Sequence, residues 1–323
     1  MNRPISFACD TLANGDSLFA YNFNIQEFNG QMPSVVSASS MFECTNITSV
    51  HFNDELANFG SLKNGESMFA ECPNLDNVKI DCKLLVNGKK MFYKTPITTL
   101  EASSFESVLY GQKMFSGTSL TSFEYNLPSL IDGSYLFSDC SSLTSFNGKL
   151  SNVRILDNSF YNNTNLTTFV TDSLDNVESA TSAFYKTKIS EWKYNLPSLK
   201  NAENMFKNCS NLVTFIGDLS SLKNGSSMFS SASLTTFQSP LTKLEIGDGM
   251  FSGCRLTPQS VMFILDSIPT HMSGEHNLGM GIACANTEDA KNVFAERAGY
   301  NDWQTMTDYV TDKGWTVTWQ FNN

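Results

Sequence analysis

One apolar pattern recurs along the chain at intervals of 22 to 27 residues. A phenylalanine anchors each copy, an aliphatic residue follows five or six positions later, and a second apolar or aromatic residue follows three positions after that. Polar residues, mostly Ser, Thr and Asn, fill the positions between them. Spacing this regular indicates an internal structural repeat. The anchoring phenylalanines are Phe19, Phe42, Phe69, Phe92, Phe115, Phe137, Phe160, Phe184, Phe206, Phe229 and Phe251.

Each copy predicts one rung of a stacked solenoid. Alternation such as that of Leu120 to Phe123 predicts a short strand, and an L-x-x-L stretch and an Asn-Gly turn follow it. We expect the Met-Phe pair to lie on a helical or 3₁₀ turn. Because one rung cannot bury its own apolar face, stacking must supply the core. The repeat length therefore predicts an α/β solenoid, a leucine-rich-repeat-like array of about eleven rungs of mostly 22–24 residues over residues 1–256.

A glycine precedes the anchoring phenylalanine by four positions in seven copies, often directly after Asn or Asp. Glycine adopts positive φ at little steric cost, and Asn-Gly pairs are typical of turns. We therefore predict a left-handed backbone at these glycines, which are Gly15, Gly65, Gly88, Gly111, Gly133, Gly225 and Gly247.

The pattern stops after Phe251, and residues 257–323 are predicted to form a C-terminal α+β cap. A solenoid needs such a cap because its last apolar rung is otherwise exposed. Thr257 and Pro258 are typical of a helix N-terminus, and Val261, Ile264, Leu265 and Ile268 would form the apolar face of that helix. The remaining predicted elements are a strand in HNLGMGIA, a helix ending at Gly299, a helix ending at Gly314 and a strand in WTVTWQF.

The stretch NMFKNCSNLVTFIGDLSSLKNGSSMF, residues 204–229, resembles the BspA-like leucine-rich repeats of gut and oral bacteria, protist surface proteins and phage structural proteins. The resemblance covers roughly residues 5–256. It departs from the bacterial adhesin form, because L-P-S-L replaces I-P-x-x-V, and M-F replaces A-F except at Ala183-Phe184. The resemblance implies a repeat fold that binds proteins, glycans or cells, without a catalytic motif. The ending K-G-W-T-V-T, residues 313–318, is similar to phage-borne and gut-bacterial members.

Composition narrows the classes of function. The net charge is −11 and the pI is about 4.7, which disfavours nucleic acid as a partner because phosphate binding needs clustered Lys and Arg. No apolar run approaches the ~18 residues that a membrane helix needs, so membrane insertion is not expected. The N-terminal MNRPISFACDTLANG lacks the apolar segment of a secretory signal, so we expect no leader in this chain.

Four cysteines share one position, three residues after the anchoring phenylalanine, where other copies carry Thr or Ala. That position favours a small buried residue, and the nearest two of these cysteines are two rungs, or ~10 Å, apart, which exceeds the ~7 Å Cα separation of a disulfide. We therefore predict free structural thiols at Cys72, Cys140, Cys209 and Cys254. The roles of Cys9, Cys82 and Cys284 stay open.

Catalytic and metal-binding motifs are not evident. His271 and His276 flank M-S-G-E with Cys284 beyond, but the spacing matches no zinc pattern, and a loop or hairpin in the cap is the preferred interpretation. No nucleophile elbow, phosphate-binding loop or dinucleotide fingerprint occurs. The sequence predicts no enzyme, no metal and no cofactor.

The solvent side of the predicted sheet is the candidate binding face. If the strand aromatic points inward, its two neighbours point outward. The neighbour before it is mostly a hydroxyl residue, whereas the neighbour after it differs from copy to copy. The alternative is a solvated face without a binding role. The candidates are His51, Lys79, Glu101, Glu124, Asn147, Val170, Glu191, Lys193, Ile216 and Gln238.

These observations favour a phage virion component, either a tail fibre or a head decoration, that attaches to a host-surface protein or glycan or contacts other virion proteins. The alternative is a secreted or anchored bacterial adhesin of the cell surface whose leader is not in this chain. The ligand, the host and the oligomeric state do not follow from the sequence.

Overall fold

The computed structural model describes residues 3–271, 275–282 and 303–321. The chain divides into two compact units, unit 1 over Met1–Ser173 and unit 2 over Leu174–Asn323. Short parallel strands dominate both units, as the repeat pattern predicted. The predicted helix ending at Gly299 lies outside the described residues.

Unit 1 contains two sheets of parallel strands. The first has the order β1-β2-β3-β5-β4, with β6 also pairing β5, and the second has the order β7-β8-β9. The strands are β1 (Arg3–Ala8), β2 (Ile25–Gln31), β3 (Ser49–His51), β4 (Ala57–Asn58), β5 (Asn77–Asp81), β6 (Thr99–Ala102), β7 (Ser122–Phe123), β8 (Ser145–Asn147) and β9 (Thr168–Val170).

Unit 2 begins with further strands of the same kind and ends with longer elements. Its parallel sheets have the orders β10-β11-β12 and β13-β14-β15. The elements are β10 (Glu191–Trp192), β11 (Thr214–Ile216), β12 (Thr236–Gln238), β13 (Gly247–Leu256), α1 (Pro258–Ser267), β14 (His276–Ile282), α2 (Trp303–Asp312) and β15 (Trp315–Phe321).

The anchoring phenylalanines stack on one another inside each unit. In unit 1 the rings of Phe92 and Phe115 lie 5.5 Å apart with an interplanar angle of 12°. The strand aromatic Phe123 packs edge-on against this stack, 4.8 Å from Phe137. All four rings are buried. Stacked and edge-to-face pairs are the favoured aromatic geometries, so the repeated Phe explains how neighbouring rungs form one core.

The Met-Phe segments are ladders of turns with single i→i−3 hydrogen bonds, and not the continuous helical turn that was one of the two predicted forms. Lys90 and Phe92 donate their N–H groups to carbonyls of the next rung, the latter to Met114 at 2.9 Å. Met91, between them, donates instead to Gly88 at 3.1 Å, three residues back. Because alternate N–H groups leave the segment, the regular intrasegment bonding of a helix cannot continue.

Positive φ angles recur two residues before and two residues after the anchoring phenylalanine. Around Phe92 these are Lys90 at φ 54° and Lys94 at φ 55°. The same two positions carry positive φ around Phe42, where they are Ser40 and Cys44. The left-handed residues turn every second N–H towards the neighbouring rung, which is the physical reason for the ladder.

The prediction for the seven glycines is also wrong, because none of them is among the residues with positive φ. These glycines are needed because a side chain at their positions would overlap with packed neighbouring side chains. A Cβ on Gly88 would lie 2.7 Å from Sδ of Met114, and a Cβ on Gly225 would lie 2.9 Å from Sδ of Met250. The methionine of the next rung occupies the room that a side chain would take.

The elements after Leu256 agree with the sequence pattern where the structure describes them. The side chain of Thr257 accepts a hydrogen bond from the N–H of Ser260, and Pro258 begins α1. The hydroxyl of Ser260 in turn accepts a hydrogen bond from the N–H of Phe237 at 3.0 Å, and this bond joins α1 to β12. Gly314 follows α2 at φ 80°. The domain boundary between residues 256 and 257 stays a prediction.

Substitution of Gly88 tests the spatial role of these glycines. Gly88→Ala should lower the free energy of unfolding by ~1–3 kcal/mol, the usual cost of overpacking a core. In a Met114→Ala background the same change should cost less than half as much, because the sulfur it meets is gone. Denaturant unfolding of the four proteins measures both costs. Equal costs in the two backgrounds would show that backbone conformation, and not Met114, requires the glycine.

Candidate binding face

The structure places the predicted candidates on the solvent side of the strands. His51, Lys79 and Asn147 lie on β3, β5 and β8, next to the buried residues Val50 and Val78. The others lie on or directly after β6, β7, β9, β10, β11 and β12, and all of these are exposed: Glu101, Glu124, Val170, Glu191, Lys193, Ile216 and Gln238. Their outward orientation follows from the alternation along each strand, whereas their role in binding stays a prediction.

Strand register aligns the candidates into a column within each sheet. Lys79 pairs with Glu101 across β5 and β6, and Asn147 pairs with Val170 across β8 and β9. In unit 2, Ile216 pairs with Gln238. Neighbouring parallel strands lie ~4.8 Å apart, so one ligand can contact side chains from several rungs.

Charged candidates form ion pairs. Lys79 pairs with Glu101 and Lys193 pairs with Glu191, whereas His51 pairs with Glu27 on β2, a residue outside the candidate set. Nζ of Lys79 lies 3.3 Å from Oε1 of Glu101, and Nζ of Lys193 lies 3.4 Å from Oε1 of Glu191. Exposed ion pairs of this kind contribute ~0–1 kcal/mol, so a ligand can displace them at little cost. The face thus presents charge of both signs without a rigid salt-bridge network.

His51 is the most constrained of the candidates. Its Nε2 lies 2.7 Å from Oε1 of Glu27, and the N–H of Asp54 donates to its Nδ1 at 3.4 Å. Because Nδ1 accepts, the neutral ring carries its proton on Nε2 and donates it to the Glu27 carboxylate. His51 is therefore oriented by its neighbours before any ligand arrives.

Sequence reasoning missed a cleft in this face, which we call the strand-gap cleft. It has a volume of about 240 Å³ and lies between β6 and β7. Its only sequence signal is Tyr125, which stands where the next copy has Gly148. The lining residues are Thr98, Thr99, Leu100, Leu120, Thr121, Ser122, Phe123 and Tyr125.

The two C-terminal histidines stack on each other, with ring centroids 3.6 Å apart. Nε2 of His271 lies 3.0 Å from the carbonyl of Leu244, and Nδ1 of His276 lies 2.8 Å from the carbonyl of Glu245. These ring nitrogens therefore serve as donors to the backbone. Across the described residues, no three His, Cys, Asp or Glu side chains are grouped to hold a metal, and Cys284 lies outside that part of the chain.

The cysteines of the repeated position are buried free thiols, which confirms the prediction for them. Sγ of Cys140 donates to the carbonyl of Phe115 at 3.0 Å and lies 3.4 Å from the hydroxyl of Thr118. Burial raises the pKa of the Cys140 and Cys209 thiols to about 11 and that of Cys254 to about 12. Thiolates are the reactive form, so these residues serve packing and not chemistry.

Cys82 and Cys9, whose roles the sequence left open, differ in surroundings. Cys82 is fully buried, and burial raises its thiol pKa strongly. Cys9 is partly exposed and unpaired with another cysteine, as is Cys44. Sγ of Cys44 lies 3.8 Å from Oε2 of Glu71, and burial followed by the Glu71 charge raises the pKa of Cys44.

None of the described helices has the length and apolar character needed to span a bilayer.

The stacked parallel strands define a repeat protein with an open strand face. The family model described as BspA type leucine rich repeat region matches residues 63–167 and 131–257. The chain belongs to this family of BspA-like leucine-rich repeat proteins. A second model, described as a Mycoplasma protein of unknown function, matches residues 10–105.

A leucine-rich repeat protein of known crystal structure from Bacteroides ovatus is similar at 13% identity. The match covers 98% of this chain and 84% of that protein, with a TM-score of 0.31. No curated protein matches the chain. The comparisons indicate no catalytic family.

Alkylation tests the assignment of the thiols. Native protein treated with iodoacetamide at pH 8 should be labelled at Cys9 and Cys44, whereas Cys140, Cys209 and Cys254 should stay unlabelled because their raised pKa and burial suppress the thiolate. Peptide mass spectrometry locates the label. In denaturant without reductant all of these cysteines should react. A disulfide between any two of the repeated-position cysteines would contradict the stacked register.

Proposed function

We propose that this chain is a non-enzymatic binding protein that attaches to a host-surface protein or a glycan through the strand face. The observation that carries the proposal is the contrast between the two sides of each strand. Inward residues such as Val78 and Phe146 are apolar and, apart from the partly exposed Leu100, buried, whereas the register-aligned outward residues differ in charge, size and polarity.

The geometry suits an extended ligand. Within each sheet, candidates on neighbouring strands lie in one row, and the rows carry acidic, basic, amide and aliphatic side chains. Drug-sized ligands instead bind in concave pockets of ~300–1,000 Å³. A polysaccharide or a protein surface can contact several rungs, so its affinity can accumulate from modest contacts at each one.

The proposed location is extracellular, at a cell surface, in agreement with the BspA-like family. Nucleic acid is not a proposed partner because the net charge is −11. Neither membrane insertion nor a cofactor forms part of the proposal.

The supporting architecture is also part of the proposal. We infer about eleven rungs of the repeat, closed by the cap of residues 257–323. Contacts within unit 2 support the cap: α1 is joined to β12 through Ser260, and β13 pairs with β14, which pairs with β15. Such pairing covers the edge of the last rung, which would otherwise promote aggregation.

A virion protein, as a tail fibre or head decoration, is the second candidate. The resemblance of residues 313–318 to phage-borne as well as gut-bacterial members of the family is what raises this second candidate. Proteomics on purified virions and on the surface fraction of the producing cells separates the two. Recovery in virions would favour attachment of a phage, and recovery on cells would favour an adhesin.

Substitutions on the two sides of the rungs test the binding face. Lys193→Ala and Glu124→Ala should each weaken binding at least tenfold to a ligand found by glycan array or host-cell screening, because each change removes a charged side chain from the proposed contact surface. Binding is measured by surface plasmon resonance with the purified protein.

Lys63→Ala and Lys223→Ala, which change exposed lysines outside the column, are the controls. They should leave affinity unchanged. If the control changes abolish binding while the column changes do not, the strand face is not the site.

A further inference from the structure

Among the described strands of unit 1, consecutive rungs are hydrogen bonded along the sheet except at one place. β1, β2, β3, β5 and β6 belong to one sheet and β7, β8 and β9 to another. On the side of the Met-Phe turns, the rungs that contain β6 and β7 stay joined, since the N–H of Phe92 donates to the carbonyl of Met114 at 2.9 Å. The rungs therefore separate only at the strand face, where the strand-gap cleft lies.

The separation leaves backbone groups facing the cleft. In the following rungs, the N–H of Thr144 donates to the carbonyl of Thr121 at 2.9 Å, and that of Thr167 to Thr144 at 3.0 Å. The equivalent bond, from the N–H of Thr121 to the carbonyl of Thr98, is not formed in this described region. Both residues line the cleft, so one donor and one acceptor are available there.

Tyr125 holds the two strands in this arrangement. Its hydroxyl donates to the carbonyl of Leu100 at 3.0 Å and accepts the N–H of Ala102 at 3.0 Å. Its ring packs edge-on against Phe105, with centroids 5.3 Å apart. A side chain fixed at both ends makes the cleft preformed, which lowers the entropy cost of binding.

The lining suits a sugar. The lining combines the hydroxyl residues Thr99, Thr121 and Ser122 with the apolar residues Leu100 and Leu120, and no charged residue lines the cleft. A pyranose ring presents the same mixture of hydroxyls and apolar C–H groups. The volume of about 240 Å³ is below the ~300–1,000 Å³ of pockets for drug-sized ligands, which favours one sugar unit.

We propose that the strand-gap cleft binds one uncharged pyranose unit of a glycan. The inference rests on the proposed function, because it assigns a ligand class to one part of the binding face. The hydroxyls of the sugar hydrogen bond the exposed backbone groups of Thr98 and Thr121 and the side chains of Thr121 and Ser122, and the C–H face of the sugar lies over Leu100.

Saturation-transfer NMR with the purified chain tests the cleft. The probes are the methyl glycosides of glucose, galactose, mannose and N-acetylglucosamine. At least one should give a signal, and Ser122→Trp should reduce it at least fivefold because the indole fills the cleft. Ser145→Trp is the matched control, since Ser145 pairs with Ser122 in register on the next strand, and it should keep the signal. Thr121→Val, a change of similar size that removes one hydroxyl, should also weaken it severalfold.

Three results would overturn the inference. These are no signal from any of the four sugars, an unchanged signal in folded Ser122→Trp and Thr121→Val, or a signal from a capped diglycine peptide alone. The proposed function fails separately. If Lys193→Ala loses glycan or cell binding while Ser122→Trp binds normally, the cleft is rejected and the strand face is kept as the binding site. If Ser122→Trp loses binding while Lys193→Ala binds normally, the cleft is kept and the column of outward residues is rejected.

Discussion

The hydrogen bonds between the Met-Phe turns of neighbouring rungs are the constraint on which the rest of the structure depends. Within each unit, a turn sends alternate N–H groups to the carbonyls of the next turn, as Phe69 does to Met91 at 2.9 Å. This fixes the separation of the rungs and brings the phenylalanine rings to stacking distance, 5.6 Å between Phe69 and Phe92. Strand pairing on the other side of the rung then follows from the same spacing.

Residue choices that look unrelated follow from this close spacing. In seven copies the residue four positions before the phenylalanine is a glycine, which leaves room for a packed side chain, as Gly88 does for Met114. The Cys or Thr three residues after it hydrogen bonds a phenylalanine carbonyl inside the core, as Cys209 does to Phe184 at 3.0 Å. Both positions mostly carry small residues, because a larger side chain would press against the neighbouring rung. The solvent side of the strands has no such restriction, which leaves it free for recognition.

The sequence predicted the rungs well because their core is periodic. The spacing of phenylalanines placed Phe115 and Phe123 in the core, and Thr257 with Pro258 located the start of α1. The turn conformation could not be predicted in this way. Positive φ falls on Ser40, Lys90 and other residues without a common type, because it is imposed by bonds to the neighbouring rung.

The candidate site was predictable only in outline. Alternation within a strand gives the outward residues, but the strand-gap cleft depends on bonds of Tyr125 to residues 23 and 25 positions away. A single sequence carries no signal for such contacts beyond an unusual side chain at a position that is glycine in the next rung. The ion pairs of the face, such as Lys79 with Glu101, likewise required the register of the strands.

A double-mutant cycle on the phenylalanine stack tests the central claim most directly. Phe92→Leu and Phe115→Leu, singly and together, measure the coupling between adjacent rings, and Phe42→Leu with Phe115→Leu measures it for rings that are not neighbours. The stacked register predicts a coupling of ~0.5–1.5 kcal/mol in the free energy of unfolding for the adjacent pair. For the distant pair it predicts additivity within ~0.5 kcal/mol. Additivity for Phe92 and Phe115, or an equal coupling in both pairs, would contradict the account.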